Sequence, residues 1–183
     1  MTIQDNFRPA PPAEIAEPDE FAALRKRVRE MLAEHVTPDR LNKFDEAEEY
    51  DVELYREIGA AGLIKLDGEL HGHGPKHQAQ AVVLEELGAG PTSVAVSMVV
   101  QYMGVQLLHS YGNHQQQEEF LAPLHSGAAK MSFALSEPDG GTDVARAMKT
   151  NAVHLENGSY SISGQKKWIG GAMDADYLIL LAR

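Results

Sequence analysis

One glycine-rich block, residues 133–143, carries the most specific chemistry of the chain and reads FALSEPDGGTD. We call it the Ser-Glu-Pro motif. Pro138 favours a turn, and the two glycines that follow let backbone approach a ligand closely. Ser136 and Thr142 supply hydroxyl groups, which both donate and accept hydrogen bonds. Such a block suits a flavin ring or a CoA thioester, although taken alone its composition is more often that of a surface turn.

A second block, residues 157–169, reads NGSYSISGQKKWI and is called the tryptophan motif. Its Asn-Gly pair is a strong signal for a hairpin turn. Trp168 offers an aromatic face, although a single tryptophan more often packs in a core than against a cofactor. Lys166 and Lys167 allow two interpretations, since they could meet a phosphate or lie exposed at a strand end.

The segments that must position these motifs divide the chain by pattern. Up to about Gly127 the apolar residues recur with helical spacing. Residues 92–111 are apolar nearly all round, which predicts a buried central helix. Asp51 is expected to cap the helix that follows it. The predicted helices cover residues 19–32, 51–58, 76–87, 92–111 and 115–127.

From about Lys130 the period changes to the alternation of strands. Four or five strands begin without visible closure, and an uncovered sheet edge is prone to aggregate. The predicted fold class is therefore α+β, an all-helical domain followed by an incomplete antiparallel β-domain. The predicted parts are a flexible Pro-rich arm (1–18), the helical domain (19–128) and the first part of the β-domain (129–183).

Composition excludes several classes of function. The formal net charge of −11 repels phosphate backbones and anionic lipids, so we expect neither nucleic-acid nor membrane binding. Without cysteine the chain has no disulfide and no thiolate metal ligand. His71, His73 and His77 lack a carboxylate partner at fixed spacing, and we predict no metal site. No secretory signal or membrane span is visible, so a cytoplasmic location is expected.

Taken in order, the two motifs resemble the signatures of the acyl-CoA dehydrogenase family. In that family a short apolar strand runs into Thr/Ser-Glu-Pro, and a tyrosine-containing strand leads to Asn/Ser-Gly-x-Lys-x-Trp-Ile. Residues 83–88 and 111–124 are similar to helical stretches of the family, and the resemblance spans 20–183. It implies a helical domain, a middle β-domain and a C-terminal bundle, with FAD held between the last two. The implied reaction is α,β-dehydrogenation of an acyl-CoA.

The resemblance also implies roles for individual residues. Thr142 would touch the acyl-CoA substrate. The catalytic carboxylate is expected in the C-terminal bundle, outside this chain, and Glu137 would serve structure only. Most relatives have a Thr or Ser, whose hydroxyl bonds near flavin N5, where this chain has Gly170. The residues implied to contact FAD are Phe133, Leu135, Ser136, Trp168, Ile169 and Gly170.

The implied partners are an acyl-CoA, an electron-transfer flavoprotein and further copies of the chain in a homotetramer, or a partner chain. The implied role lies in fatty acid metabolism. Two alternatives stay open from the residues. The Trp-Ile-Gly-Gly run at residues 168–171 is mildly similar to that of acyl-CoA oxidases, whose reduced flavin reacts with oxygen. The short chain could also be a non-catalytic binding or assembly subunit.

Overall fold

The structure, a computed structural model, describes residues 19–66, 75–140 and 143–183. Its helices are α1 (Asp19–His35), α2 (Pro38–Ala47), α3 (Val52–Ala60), α4 (Pro75–Gly88), α5 (Thr92–Tyr111), α6 (His114–His125) and α7 (Val144–Ala147). Its strands are β1 (Met131–Ala134), β2 (Asn151–His154), β3 (Tyr160–Ser163) and β4 (Tyr177–Leu180). The predicted fold class, helices followed by a partial β region, is confirmed. The predicted arm and Thr142, His71 and His73 lie outside the described residues.

The helical core forms because α1 presents one apolar stripe to α4, and α4 in turn packs on α5. Phe21, Leu24, Val28 and Met31 recur at helical spacing and are all buried. At the α1–α4 contact the buried Glu86 carboxylate accepts hydrogen bonds from Arg25 at 2.6 Å and Arg29 at 2.7 Å. Charge-assisted bonds of this kind satisfy the carboxylate where water cannot.

Helix α2 was not among the helices predicted from the sequence. This helix buries none of its residues, so it has no apolar stripe to detect. Its signal is local: Thr37 caps it by accepting from the Arg40 amide at 3.1 Å, and proline occupies the first turn. Arg40 then reaches Asp51, whose carboxylate lies 2.6 Å from Nε. Asp51 caps α3 through the Leu54 amide, as predicted.

Helix α5 has the predicted bounds, but the prediction that it is buried all round is wrong. Val94, Met98 and Val105 lie in the core. On the opposite face Val96 and Met103 are 61% and 45% exposed, because no described element covers that side. No helix within the described ranges is long and apolar enough to cross a membrane.

The strands form two separate pairs, and only one is antiparallel. The β2–β3 pair is a hairpin closed by the Asn157-Gly158 turn, as predicted. The β1–β4 pair is parallel, with Met131 opposite Tyr177 and Ala134 opposite Leu180. The expectation of an antiparallel sheet is therefore wrong for this pair. A parallel pair needs a long connection between its strands, and here that connection includes the hairpin and the tryptophan motif.

The β1–β4 pair lies on the helical core, with Met131 and Ile179 against α5. The chain leaves the helical part through a tight contact in which the α3 backbone meets the turn after α6. A Cβ atom on Gly59 would lie 2.5 Å from the Gly127 backbone. The Tyr55 hydroxyl, also on α3, donates to the Ala129 carbonyl at 3.0 Å. Both contacts fix where β1 begins.

Replacing Gly59 by Ala is expected to lower the unfolding free energy by about 1–3 kcal/mol, because an added methyl group meets backbone that cannot move aside. Gly88→Ala is the matched control, since its Cβ would meet nothing within 4 Å. That helical substitution should be neutral or stabilise by up to about 1 kcal/mol. Urea titration followed by circular dichroism compares the two. Equal unfolding free energies for Gly59→Ala and Gly88→Ala would contradict the close approach of Gly59 to the Gly127 backbone.

Candidate functional site

Glu137 lies at the centre of the Ser-Glu-Pro motif and is 5% exposed. Its carboxylate accepts from the Lys166 ammonium at 2.9 Å. It also accepts from the Lys149 amide at 2.6 Å and the Thr150 amide at 3.0 Å. The three donors come from two distant segments of the β region, so this carboxylate holds the segments together. Its predicted structural role agrees with these bonds.

The ion pair joins the two motifs that were recognised separately in the sequence. Lys166, in the tryptophan motif, also donates from Nζ to the Leu135 carbonyl at 3.0 Å. The next residue, Lys167, donates its backbone amide to the Ser136 carbonyl at 2.9 Å. The end of β1 and the approach to Trp168 therefore run side by side.

The charges at this junction fix the protonation state of Glu137. Hydrogen bonding from Lys166 is the main cause that lowers its pKa to about 2, and the Lys149 amide adds to it. Nearby, Asp139 and Lys149 form an exposed ion pair at 2.6 Å, which lowers the pKa of Asp139 and raises that of Lys149. An exposed pair contributes little to stability. Glu137 is thus a permanent anion near neutral pH.

Trp168 presents its ring to solvent and is 81% exposed. Its backbone φ of 61° lies in the left-handed region, which is strained for a bulky residue. The Lys167 ammonium lies 4.5 Å from the centre of the ring. An exposed aromatic face beside a cation can stack on a planar, electron-poor ring.

The predicted FAD contacts fall on both sides of the junction. Leu135 and Ser136, half-buried, follow β1 directly, while Ile169 and Gly170 continue from Trp168. A Cβ atom on Gly170 would meet nothing within 4 Å, so the space beside it is open. Phe133 is half-buried within β1, opposite Ile179. The predicted substrate contact Thr142 lies outside the described residues.

Three residues that shape this site make contacts that were not predicted from the sequence. The Lys166 side chain is 9% exposed and engaged by Glu137, so neither a phosphate contact nor an exposed strand end describes it. Lys130 and Ser132 were not singled out, yet their side chains donate to the carbonyls of Gly171 and Gly170 at 3.0 Å each. Single polar residues beside a strand leave no periodic signal.

The arrangement fits a planar cofactor with a polar edge. The indole of Trp168 offers a stacking face, the Ser136 hydroxyl and nearby backbone offer hydrogen bonds, and open space lies beside Gly170. A flavin ring has this combination of a flat face and a polar rim. Among the described residues no group of three His, Asp or Glu side chains is placed to hold a metal ion.

Comparison with protein families identifies both parts of this architecture. Residues 18–128 match the acyl-CoA dehydrogenase N-terminal domain, and residues 132–183 match the acyl-CoA dehydrogenase middle domain. The chain therefore belongs to the acyl-CoA dehydrogenase family, as its two motifs suggested.

Curated relatives agree with this assignment. The chain is 30% identical over 175 residues to the mitochondrial short-chain specific acyl-CoA dehydrogenase of Sus scrofa, covering 90% of this chain and 40% of that protein. It is 31% identical over 164 residues to the caffeyl-CoA reductase–Etf complex subunit CarC of Acetobacterium woodii, covering 87% and 42%. The chain thus spans less than half the length of the curated relatives it matches.

Solved structures share the fold. Glutaryl-CoA dehydrogenase from Mycobacterium smegmatis superposes with a TM-score of 0.79 at 28% identity, over 92% of this chain and 43% of that one. The same kind of enzyme in complex with FADH2 gives 0.79 at 27% identity, over 92% and 43%. A glutaryl-CoA dehydrogenase–glutaryl-CoA complex gives 0.82 at 26% identity, over 92% and 44%.

Glu137→Gln tests whether the charged junction holds the β region. The folded pKa of Glu137 lies near 2 and its ordinary value near 4.5, so its contribution is present above about pH 4.5 and is lost as pH falls towards 2. The variant should melt at a lower temperature at pH 7 and lose less on acidification than the unaltered chain.

Thermal melts between pH 7 and pH 3, followed by circular dichroism, measure this difference. Glu156→Gln removes the same charge from an exposed position in the hairpin turn and serves as the control. We expect its curve to parallel that of the unaltered chain. Parallel curves for Glu137→Gln as well would refute a structural role for this carboxylate.

Proposed function

We propose that this chain contributes the flavin-binding face of an FAD-dependent acyl-CoA dehydrogenase. The observation that carries the proposal is the pairing of the two motifs through Glu137 and Lys166, which sets Ser136 beside the segment that bears Trp168. Family membership and the relative solved with FADH2 support the choice of cofactor. Bound FAD would supply the acceptor for the hydride that leaves the acyl β-carbon.

The residues of the chain would bind and orient the flavin and the acyl-CoA, and they would not transfer protons. Trp168, Ile169 and Gly170 would lie along the flavin, with Leu135 and the Ser136 hydroxyl at its polar edge. Phe133 would contribute from within β1, and Thr142 would contact the acyl-CoA. A flavin ring that covered the exposed indole of Trp168 would exclude water from the face between them.

Glu137 is a poor candidate for the base that removes the α-proton. Its carboxylate already accepts bonds from Lys166 and two amides, and its pKa near 2 makes it a weak proton acceptor. We therefore propose that the catalytic carboxylate lies outside residues 1–183, in the C-terminal bundle that the family resemblance implies.

The proposed substrate is an acyl-CoA, and the proposed electron acceptor is an electron-transfer flavoprotein. The relative whose structure holds glutaryl-CoA supports the substrate class, and the relative named as a subunit of an Etf complex supports the acceptor. A homotetramer, a cytoplasmic location and a role in fatty acid metabolism complete the proposal.

Acyl-CoA oxidase is the second candidate, and the observation that favours it is the open space at Gly170. With no side chain at this position, a small molecule such as oxygen meets no steric barrier from it. The non-catalytic subunit remains the third candidate, because apolar side chains such as Val153 and Ile162 are more than half exposed in the hairpin. Covering these side chains is what a partner chain would do.

Trp168→Ala is expected to weaken FAD binding by up to about tenfold, because an aromatic stack contributes about 0.5–1.5 kcal/mol. Binding is measured by titrating FAD into the 183-residue chain and following flavin absorbance, with released cofactor quantified after denaturation. Tyr111→Ala removes another exposed aromatic ring, 83% exposed at the end of α5, and should leave affinity unchanged. A chain that takes up no FAD overturns the proposal for the isolated chain.

Gly170→Ser separates the dehydrogenase from the oxidase. The added side chain enters open space, so the variant should keep the stability of the unaltered chain. In a complete, FAD-loaded enzyme that contains this chain we expect slow oxygen consumption with acyl-CoA, and slower still in the variant. Rapid oxygen consumption by the unaltered enzyme that falls in the variant would instead favour the oxidase.

A further inference from the structure

Residues 168–171, which include three of the predicted flavin contacts, are bound by side chains at the start of β1. We call this segment the tryptophan loop. The Ser132 hydroxyl donates to the Gly170 carbonyl at 3.0 Å, and the Lys130 ammonium donates to the Gly171 carbonyl at 3.0 Å. These two donors are separated by one residue, so they project from the same side of the chain. The two successive carbonyls of Gly170 and Gly171 are therefore each bonded by a side chain from the same side of the β1 segment.

Lys130 is bound to the loop and its continuation by backbone as well as side chain. Its amide donates to the Asp176 carboxylate at 2.8 Å, and its carbonyl accepts from the amides of Asp176 and Tyr177 at 2.9 and 3.1 Å. The side chain bonds the beginning of this turn while the backbone bonds its end. The turn from the tryptophan loop to β4 is therefore closed around a single residue.

The space around the Lys130 ammonium is closed as well. Lys130 is 3% exposed, and its Nζ lies 4.4 Å from the centre of the Tyr50 ring. A Cβ atom on Gly171 would collide with this Nζ, and Gly171 has a φ of +67°, which glycine tolerates best. The lysine and the glycine thus fit each other. Burial lowers the pKa of Lys130, whereas Asp174 and Asp176 favour its charged form.

Burying an ammonium at this place is unfavourable unless the contacts that it makes compensate for the loss of water. A buried charge costs desolvation energy, and an apolar side chain of similar length often fills such a site with equal or better stability. What the ammonium adds is a directed bond to one carbonyl. That carbonyl belongs to the loop in which Trp168 carries its strained φ of 61°.

We propose that Lys130 and Ser132 are positioning residues of the flavin site, which hold the tryptophan loop in the conformation that presents Trp168 and Gly170 to the cofactor. The inference rests on the proposed function. It adds that two side chains, Lys130 and Ser132, shape the site by bonding the loop and not by contacting the cofactor.

The chain contains one tryptophan, so tryptophan fluorescence, excited where tyrosine does not absorb, reports on this loop alone. Time-resolved anisotropy and acrylamide quenching of Trp168 are measured in the cofactor-free 183-residue chain, for the unaltered protein and for Lys130→Met, Ser132→Ala and the double variant. We expect faster local motion of the indole in each variant and the largest change in the double variant. Lys43→Met is the control, because Lys43 also lies over an aromatic ring, at 5.1 Å from Phe44, but is exposed on α2.

Two further readouts separate positioning from folding. The melting temperature of Lys130→Met should change little, because loss of the desolvation penalty of the buried ammonium offsets loss of its bond to the Gly171 carbonyl. The FAD dissociation constant of the same variant should rise by up to roughly tenfold, because FAD binding would then have to order a loop that the lysine no longer holds. Lys43→Met should change neither quantity.

The outcomes distinguish this inference from the proposed function. If all forms bind FAD equally and the indole moves equally in all, Lys130 and Ser132 are not positioning residues, while the proposed function stands. If Lys130→Met loses affinity only in proportion to a lower melting temperature, the role is structural and the inference is overturned. If no form binds FAD, the proposed function of the isolated chain fails, and the flavin part of the inference fails with it.

Discussion

The β region depends on one buried carboxylate. The turn after β1 lies beside Ala147 of the short helix α7, and Glu137 bonds it to the Lys166 ammonium and to the amides of residues 149 and 150. Each bond crosses between segments that are remote in sequence. Because a buried anion without these donors would be strongly unfavourable, the segments are held together as a set rather than one by one. In this chain these bonds join the two motifs physically.

The helical part reaches this junction through polar contacts made by buried side chains. Gln101, fully buried on α5, accepts from the Met131 amide at 3.1 Å and donates to the Leu124 carbonyl at 3.5 Å. It therefore connects the end of α6 to the first residue of β1. Tyr55 bonds the Ala129 carbonyl between them. The register of β1 against α5 follows from these bonds, and the positions of Lys130 and Ser132 follow from that register.

Local signals in the sequence predicted most of the helical part. Phe21, Val28 and Met31 recur because α1 has a single buried stripe, and the Asp51 cap is visible as a residue type at a helix start. Helix α2 buries nothing and left no such stripe. The exposed face of α5 was equally invisible, since Val96 and Met103 are apolar whether or not a neighbour covers them.

The β region was predictable only in part, because pairing between remote segments has no local signature. The change of period predicted strands after about Lys130, but the parallel register of β1 and β4 is set by contacts near Lys130 and Asp176. The hairpin was predictable, since Asn157 and Gly158 determine it locally. The site residues came from a resemblance between motifs. The side chains that hold them, Lys130 and Lys166, required knowledge of which carbonyls lie within reach.

The strain at Trp168 connects this architecture to its use. A bulky residue with φ of 61° costs about 1–3 kcal/mol, and such a conformation persists only where its surroundings over-determine it. Here the backbone is bonded just before Trp168, at the Lys167 amide, and again after it, at the Gly170 carbonyl. The ring itself is 81% exposed. A ring exposed between two fixed points suits the flavin site proposed above, because the loop is then ordered in folding and not on binding.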